Sequence, residues 1–188
     1  MAKILFFDVE TTGLDYKIHG IHQLSGLIEI DGEVEETFDF NINPAPHLVI
    51  NPEALKISGK SIEQIRKYHS EAEVYRAFIF LLSKYIERFN NHDKAFLGGW
   101  NNAAFDNAFL RAFFERNNDK YFGSWFWSNS IDVMVLATQY LIEQRPDMIN
   151  FKLMTVATFL LGHIDQTRLH DAQYDIELTR NIYQIVKS

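Results

Sequence analysis

The stretch Lys3-Ile4-Leu5-Phe6-Phe7-Asp8-Val9-Glu10 constrains this chain most. It is short, aromatic and branched, and Thr11-Thr12-Gly13-Leu14 follows it as a turn, so it reads as a buried β-strand. Side chains alternate across a strand, which puts Asp8 and Glu10 on one face, about 7 Å apart at roughly 3.3 Å per residue. Two carboxylates pointing the same way from the end of a core strand repel each other and lose hydration. A divalent cation between them removes that cost. A bare D-x-E pattern is also common at solvated strand ends, where it does nothing. The rest of the chain decides between the two readings.

His22 to Ile30 and Val34 to Asn43 read as two further strands, joined by the two-residue hairpin signal Asp31-Gly32. The first three strands then form an antiparallel meander. Asn43-Pro44-Ala45-Pro46 is a loop, and Asn51-Pro52 to Gly59 is irregular or a short helical turn. Ser61 with Gln64 and Ser70 with Glu73 are capping boxes. They predict a short helix near Ser61–Tyr68 and a long one from about Glu71 to Phe89. In the long one Val74, Phe78, Leu81, Leu82, Tyr85, Ile86 and Phe89 make an apolar stripe that is core.

Ala95 to Trp100 is a fourth strand, and Gly98-Gly99 within it suggests close approach by another backbone or a ligand. Asn102 to Arg116 is the next helix, with Asn102 as its N-cap. The aromatic loop Asn117 to Ser130 either closes a core edge or offers rings for base stacking. A short strand at Ser130-Ile131 and a helix from Asp132 to about Gln144 follow, and Pro146 breaks the chain. Lys152 to Leu161 is a helix closed by Gly162, and the last helix runs from about Asp171 to Val186. A meander followed by alternating strands and helices implies an α/β chain, a mixed sheet with helices on both faces. Its 188 residues, without repeats or an interdomain linker, suit a single domain over 1–188.

Net charge is −7, whereas a protein that grips long duplexes by general electrostatics is basic. Nucleic acid, if handled here, meets one local site with a short footprint and metal ions to neutralise it. There is no cysteine, which excludes disulfides and thiolate metal sites. The longest apolar run, Ala77 to Leu82, is far too short to span a bilayer, and no signal-peptide layout opens the chain. A soluble, cytoplasmic protein is expected.

Further carboxylates sit on apolar helix faces. Asp106 shares its face with Phe109, Leu110 and Phe113, and Asp175 shares its face with Leu178, Ile182 and Val186. Either could be a first-turn acid favoured by the helix dipole. Two such acids, beside a strand that closes on Asp8 and Glu10, point to a common site. His170 stands about 140° round a helix from Asp175. If Asp171 is the N-cap, His170 lies outside that helix and is free to turn towards the site. Four acids and one neutral base are what phosphodiester hydrolysis with two divalent ions requires. Mg²⁺ or Mn²⁺ fit an all-oxygen set better than zinc does. A histidine takes the proton of the attacking water.

At this point the chain resembles the DEDD exonucleases of the ribonuclease-H-like superfamily, in the branch with a histidine base (DEDDh). Three blocks carry the likeness: Phe6 to Leu14 (FFDVETTGL), Asn101 to Leu110 (NNAAFDNAFL) and His170 to Asp175 (HDAQYD). The resemblance implies a sheet of five main strands, the first three antiparallel. It implies Asp8, Glu10, Asp106 and Asp175 as metal ligands and His170 as general base. The implied reaction is release of nucleoside 5′-monophosphates from the 3′ end of single-stranded DNA or RNA, with DNA favoured. Thr11, Thr12, Gly13 and Leu14 map to the turn that contacts the terminal nucleotide, with Leu14 as an apolar wedge. Asn102 and Phe105 map to positions near the substrate. Asn101 departs from the usual histidine of the second block, and Ser58, Lys60 and Ser61 depart from a stretch that more often carries His, Ile and Thr. The general look is that of proofreading exonuclease subunits, which makes a DNA polymerase the implied partner. A non-catalytic module that holds a 3′ end or docks on a polymerase is the alternative.

Overall fold

The fold is described by a computed structural model covering residues 1–165, Arg168 and 172–187, without the Ile57 side chain. The strand at the N-terminus is the centre of a mixed sheet. β1 (Lys3–Thr11) pairs antiparallel with β2 (Ile21–Ile30), and β2 pairs antiparallel with β3 (Glu33–Asn43). The β2–β3 hairpin turns at Asp31 and Gly32, with φ of 50° and 94°. Both values lie in the left-handed region that the tight hairpin turn demands. On its other side β1 pairs parallel with β5 (Phe96–Gly99), and β5 pairs with β6 (Ile131–Asp132).

The sheet has six strands rather than five, in the order β4-β3-β2-β1-β5-β6. The extra strand, β4 (His69–Ser70), pairs parallel with the end of β3 through Ile42 and Asn43. Two residues are too few to show an alternating pattern, and both are exposed, so nothing in the sequence marks them.

Helices cover both faces. α1 (Pro52–Ser58) and α2 (Ile62–Ile65) follow β3, and α2 carries the expected Ser61–Gln64 capping box. α3 (Glu71–Ser83), with its Ser70–Glu73 box, packs with α4 (Asp106–Arg116) on the face formed by Leu5, Phe7, Val9, Leu24 and Ile28. α5 (Val133–Tyr140), α6 (Leu153–Leu161) and α7 (Ala172–Val186) cover the other face, with Ile4, Phe6 and Leu27.

Four helix boundaries differ from the pattern: α2 ends at Ile65, short of Tyr68, α5 ends at Tyr140, short of Gln144, and α3 and α4 differ as follows. α3 stops at Ser83, short of Phe89, although the apolar spacing continues. The buried Lys3 ammonium takes the Tyr85 carbonyl, which a continued helix would offer to residue 89, and also pairs with Asp93. α4 begins at Asp106 and not at Asn102. Asn101 is left-handed, with φ of 60°, and Phe105 has φ −132° and ψ −71°, outside the helical region. The aromatic loop is mainly core: Phe122, Trp125 and Phe126 are buried, while Tyr121 is exposed and Trp127 half-buried. Among the described residues no helix is long and apolar enough to cross a membrane.

Candidate active site

Strand alternation places Asp8 and Glu10 as expected. Leu5, Phe7 and Val9 enter one core, and Ile4 and Phe6 the other. Asp8 and Glu10 continue the row of Ile4 and Phe6, so they emerge beneath α7. Both are half-buried. Asp8 and Asp175 line the same cavity of about 180 Å³ with Trp100, Leu153 and Thr179.

Asp106 arrives from the opposite layer. β5 pairs with β1 only from Ile4 to Phe6, and beyond that point the strand edge is open. There the Val9 N–H donates to Asp106 Oδ1 at 3.2 Å. The first residue of α4 is thereby docked on the residue between Asp8 and Glu10. Asp106 is buried, with 6% of its surface exposed. Gly99 allows the approach, because a Cβ there would lie 3.0 Å from the Phe7 carbonyl and 2.8 Å from Asn102 Cβ.

The acids feel one another. Burial pushes the Asp8 carboxyl well above the usual range, and the charges of Asp106, Glu10 and Asp175 push it further. Asp106 is pushed up to about 7, first by burial; the Val9 amide opposes the shift, and Glu10 and Asp132 add to it. Carboxylates from β1, α4 and α7 therefore share one field. That excess of negative charge and an all-oxygen donor set suit hard divalent cations. Among the described residues, no three metal-ligating side chains stand close enough to form a ready-made metal site. His170 lies outside the described residues, as does Asp171.

The turn after β1 divides the residues expected to meet substrate. Leu14 stands out, 84% exposed. Thr11 Oγ1 donates to the Gly13 carbonyl at 2.8 Å, and Gly13 lies against the His19 ring so closely that any Cβ would clash. Thr12 does not face outward. It is fully buried; its Oγ1 donates to the Val49 carbonyl at 2.7 Å and accepts from the Gly20 N–H at 3.0 Å. Its side chain holds the turn shut and has no polar atom left for a nucleotide. Asn102 is likewise fully buried, its Nδ2 donating to Asn107 Oδ1 at 3.2 Å. It braces the start of α4. Phe105 is half-buried, its ring 4.9 Å from that of Phe109.

One positioning residue escaped the sequence reading. Asp132 accepts from the N–H of Asn101 at 3.1 Å while capping α5 through the Met134 and Val135 amides. It ties the left-handed turn of the second block to the next layer. Its one visible signal was a helix-capping residue type after a short strand.

A profile of an exonuclease family, the RNase T type, matches residues 5–183. The chain belongs to this exonuclease family. It is thus a DEDD exonuclease of the ribonuclease-H-like superfamily. It is 28% identical over 177 residues to DNA polymerase III PolC-type of Mycoplasmopsis pulmonis (strain UAB CTIP), covering 94% of this chain and 11% of that protein. It is 34% identical over 118 residues to DNA polymerase III PolC-type of Latilactobacillus sakei subsp. sakei (strain 23K), covering 62% of this chain and 7% of that protein. The exonuclease chain thus spans about a tenth or less of these curated relatives. Among solved structures, E. coli Exonuclease I in complex with a dT13 oligonucleotide superposes with a TM-score of 0.77 at 24% identity, over 100% of this chain and 41% of that chain. The likeness establishes the fold.

Proposed function

We propose that this exonuclease domain, residues 1–188, removes nucleotides from the 3′ end of single-stranded DNA and releases nucleoside 5′-monophosphates. The observation that carries the reading is the docking of Asp106 on the Val9 amide, between Glu10 and an Asp8 that feels the charge of Asp175. Asp8, Glu10, Asp106 and Asp175 would hold two divalent ions, Mg²⁺ or Mn²⁺. Such ions supply positive charge that lets a phosphate approach four carboxylates and lowers the pKa of the attacking water. His170 is assigned as general base, which takes the proton from that water, on its place in the third block.

The chain's own residues do the positioning. The buried Thr12 and the Gly13–His19 contact make the turn rigid, and rigidity lets the exposed Leu14 act as a wedge against the last base. Phe105 offers half a ring beside Asp106 on which a sugar or base can rest. The PolC-type relatives and the DNA-bound Exonuclease I favour DNA over RNA, and the former favour work beside a DNA polymerase.

The test is a time course on matched 5′-labelled DNA and RNA oligonucleotides with Mg²⁺, Mn²⁺ or EDTA. Metal-dependent shortening from the 3′ end, faster on DNA, is expected. Folded protein that shortens neither strand under any condition would refute the assignment.

A further inference from the structure

The core does not absorb all of the aromatic loop. Tyr121 is 66% exposed, and Phe89, beyond the end of α3, is 86% exposed. Their ring centroids lie 5.8 and 5.5 Å from the Arg88 guanidinium, and that of the buried Trp125 lies 5.1 Å from it. Nothing in the chemistry above uses these residues. We propose that Arg88, Phe89 and Tyr121 dock a peptide segment of a partner protein, in which a carboxylate meets the arginine and apolar side chains meet the two exposed rings.

Charge is the first argument. Arg88 is half-buried and makes no ion pair among the described residues. Its Nε is buried without a hydrogen-bond partner among them, and so is the Trp125 indole N–H beside it. The rings hold the guanidinium in place but leave its outer N–H edge for a carboxylate. The acids close to it in sequence are engaged with backbone or with a tyrosine. Glu87 accepts from the Phe89 N–H at 3.3 Å, and Asp119 accepts from the Tyr121 N–H at 2.7 Å and from the Tyr75 hydroxyl. In a chain of net charge −7, an arginine left without an acid is conspicuous.

Composition and position are the second argument. An arginine set among aromatic rings is the make-up of an interface hot spot, where covering the rings removes apolar surface from water. The patch also lies away from the carboxylates. The Ala95 N–H donates to the Trp125 carbonyl at 3.0 Å, and the next residue, Phe96, pairs with Ile4. Ile4 stands four residues, or about 13 Å, before Asp8 along β1. A segment bound there leaves the other end of the strand open. Two other occupants fit less well. Glu87 and Asp119 flank the two exposed rings, so a backbone with a phosphate at every nucleotide meets like charge, whereas a peptide can place one carboxylate at Arg88 alone. A two-fold contact between copies of this chain would bring Arg88 towards Arg88.

The experiment selects a displayed library of random dodecapeptides on the full chain in EDTA and, in parallel, on Arg88→Met. Enriched sequences should carry an aspartate or glutamate flanked by apolar residues. They should bind wild type about tenfold more tightly than Arg88→Met and about fivefold more tightly than Phe89→Ser. One such peptide, titrated into isotope-labelled protein, should shift the Arg88 Nε–H and Trp125 indole N–H resonances. Melting curves check folding, and the exposed position of Phe89 keeps the test open should Arg88→Met unfold. No enrichment over the variants, or enriched sequences without a carboxylate, overturns the surface. A single-stranded oligonucleotide that shifts the same two resonances overturns it in favour of nucleic acid. A concentration-dependent sedimentation coefficient that Arg88→Met abolishes overturns it in favour of a second copy.

Discussion

Asp8 shows what one buried carboxyl demands of its neighbours. Its own loss of hydration is the largest influence on it, and three surrounding acids add to that. Asp8→Asn keeps the shape and removes a charge. In EDTA the variant should melt higher than wild type, by about 1–2 kcal/mol of stability. Its turnover should be lost, and Mg²⁺ should raise its melting temperature less than that of wild type. Thermal melts with EDTA and with Mg²⁺ check this, and equal stability in EDTA would count against a repulsive cluster. His22 is the opposite case. It is fully buried in β2, opposite the irregularity at Glu10/Thr11, and neither ring nitrogen has a hydrogen-bond partner among the described residues. Burial, with help from the Lys60 charge, lowers its pKa from 6.5 to about 4. Between those values the unfolded chain binds the proton and the native one does not. Stability from this group therefore falls as pH drops through that window, by at most about 3 kcal/mol. Asp8 and Asp106 act in the other direction, because their raised pKa values make the native state bind protons first. His22→Leu should gain about 1 kcal/mol at neutral pH, since an unsatisfied ring is removed. Its stability should then rise, not fall, on mild acidification; denaturant titrations across the window measure it.

At the scale of the element, α7 is held to the sheet by a buried charge. Arg180 Nε donates to Glu29 Oε2 at 2.6 Å, Gln184 adds a bond to the same oxygen at 3.0 Å, and Arg180 also reaches the Gly32 carbonyl at 2.8 Å. Glu29 is 2% exposed and lies on β2. This staple sets how α7 lies across β1 and β2, and so where Asp175 stands. Arg180→Met strands the Glu29 charge and should cost about 3 kcal/mol, with a parallel loss of turnover. Adding Glu29→Met should recover most of the stability, which a double-mutant cycle in denaturant would show. Neither residue belongs to a block that resembles the family, and only the packing of the helix reveals them. Helix boundaries repeat the lesson. The α3 apolar stripe continues to Phe89, but the Lys3 ammonium, 82 residues before the Tyr85 carbonyl it takes, ends the helix. Thr12 and Asn102 looked like substrate contacts because of where they fall in the first and second blocks. Burial turned both inward, Thr12 to the Val49 carbonyl and the Gly20 amide and Asn102 to the Asn107 side chain.

For the whole molecule, the sheet brings three distant segments to one strand end. The order β3-β2-β1-β5-β6 puts β1 in the middle, and helices from both layers then reach Asp8 and Glu10, α4 from one side and α7 from the other. Much of this was legible in the chain itself. Period-two alternation assigned Asp8 and Glu10 to one face, Asp31-Gly32 closed the hairpin, and the capping boxes started α2 and α3, because each signal acts over a few residues. Helical spacing likewise put Asp106 and Asp175 on inward faces. Other features depend on groups far apart in sequence and were decided by tertiary structure. They include the sixth strand, the premature end of α3, the inward turn of Thr12 and the Glu29–Arg180 staple. The physical reason is range. Local backbone preferences are written in neighbouring residues, whereas burial, the field of converging charges and the partner of a buried charge exist only once distant segments are packed together.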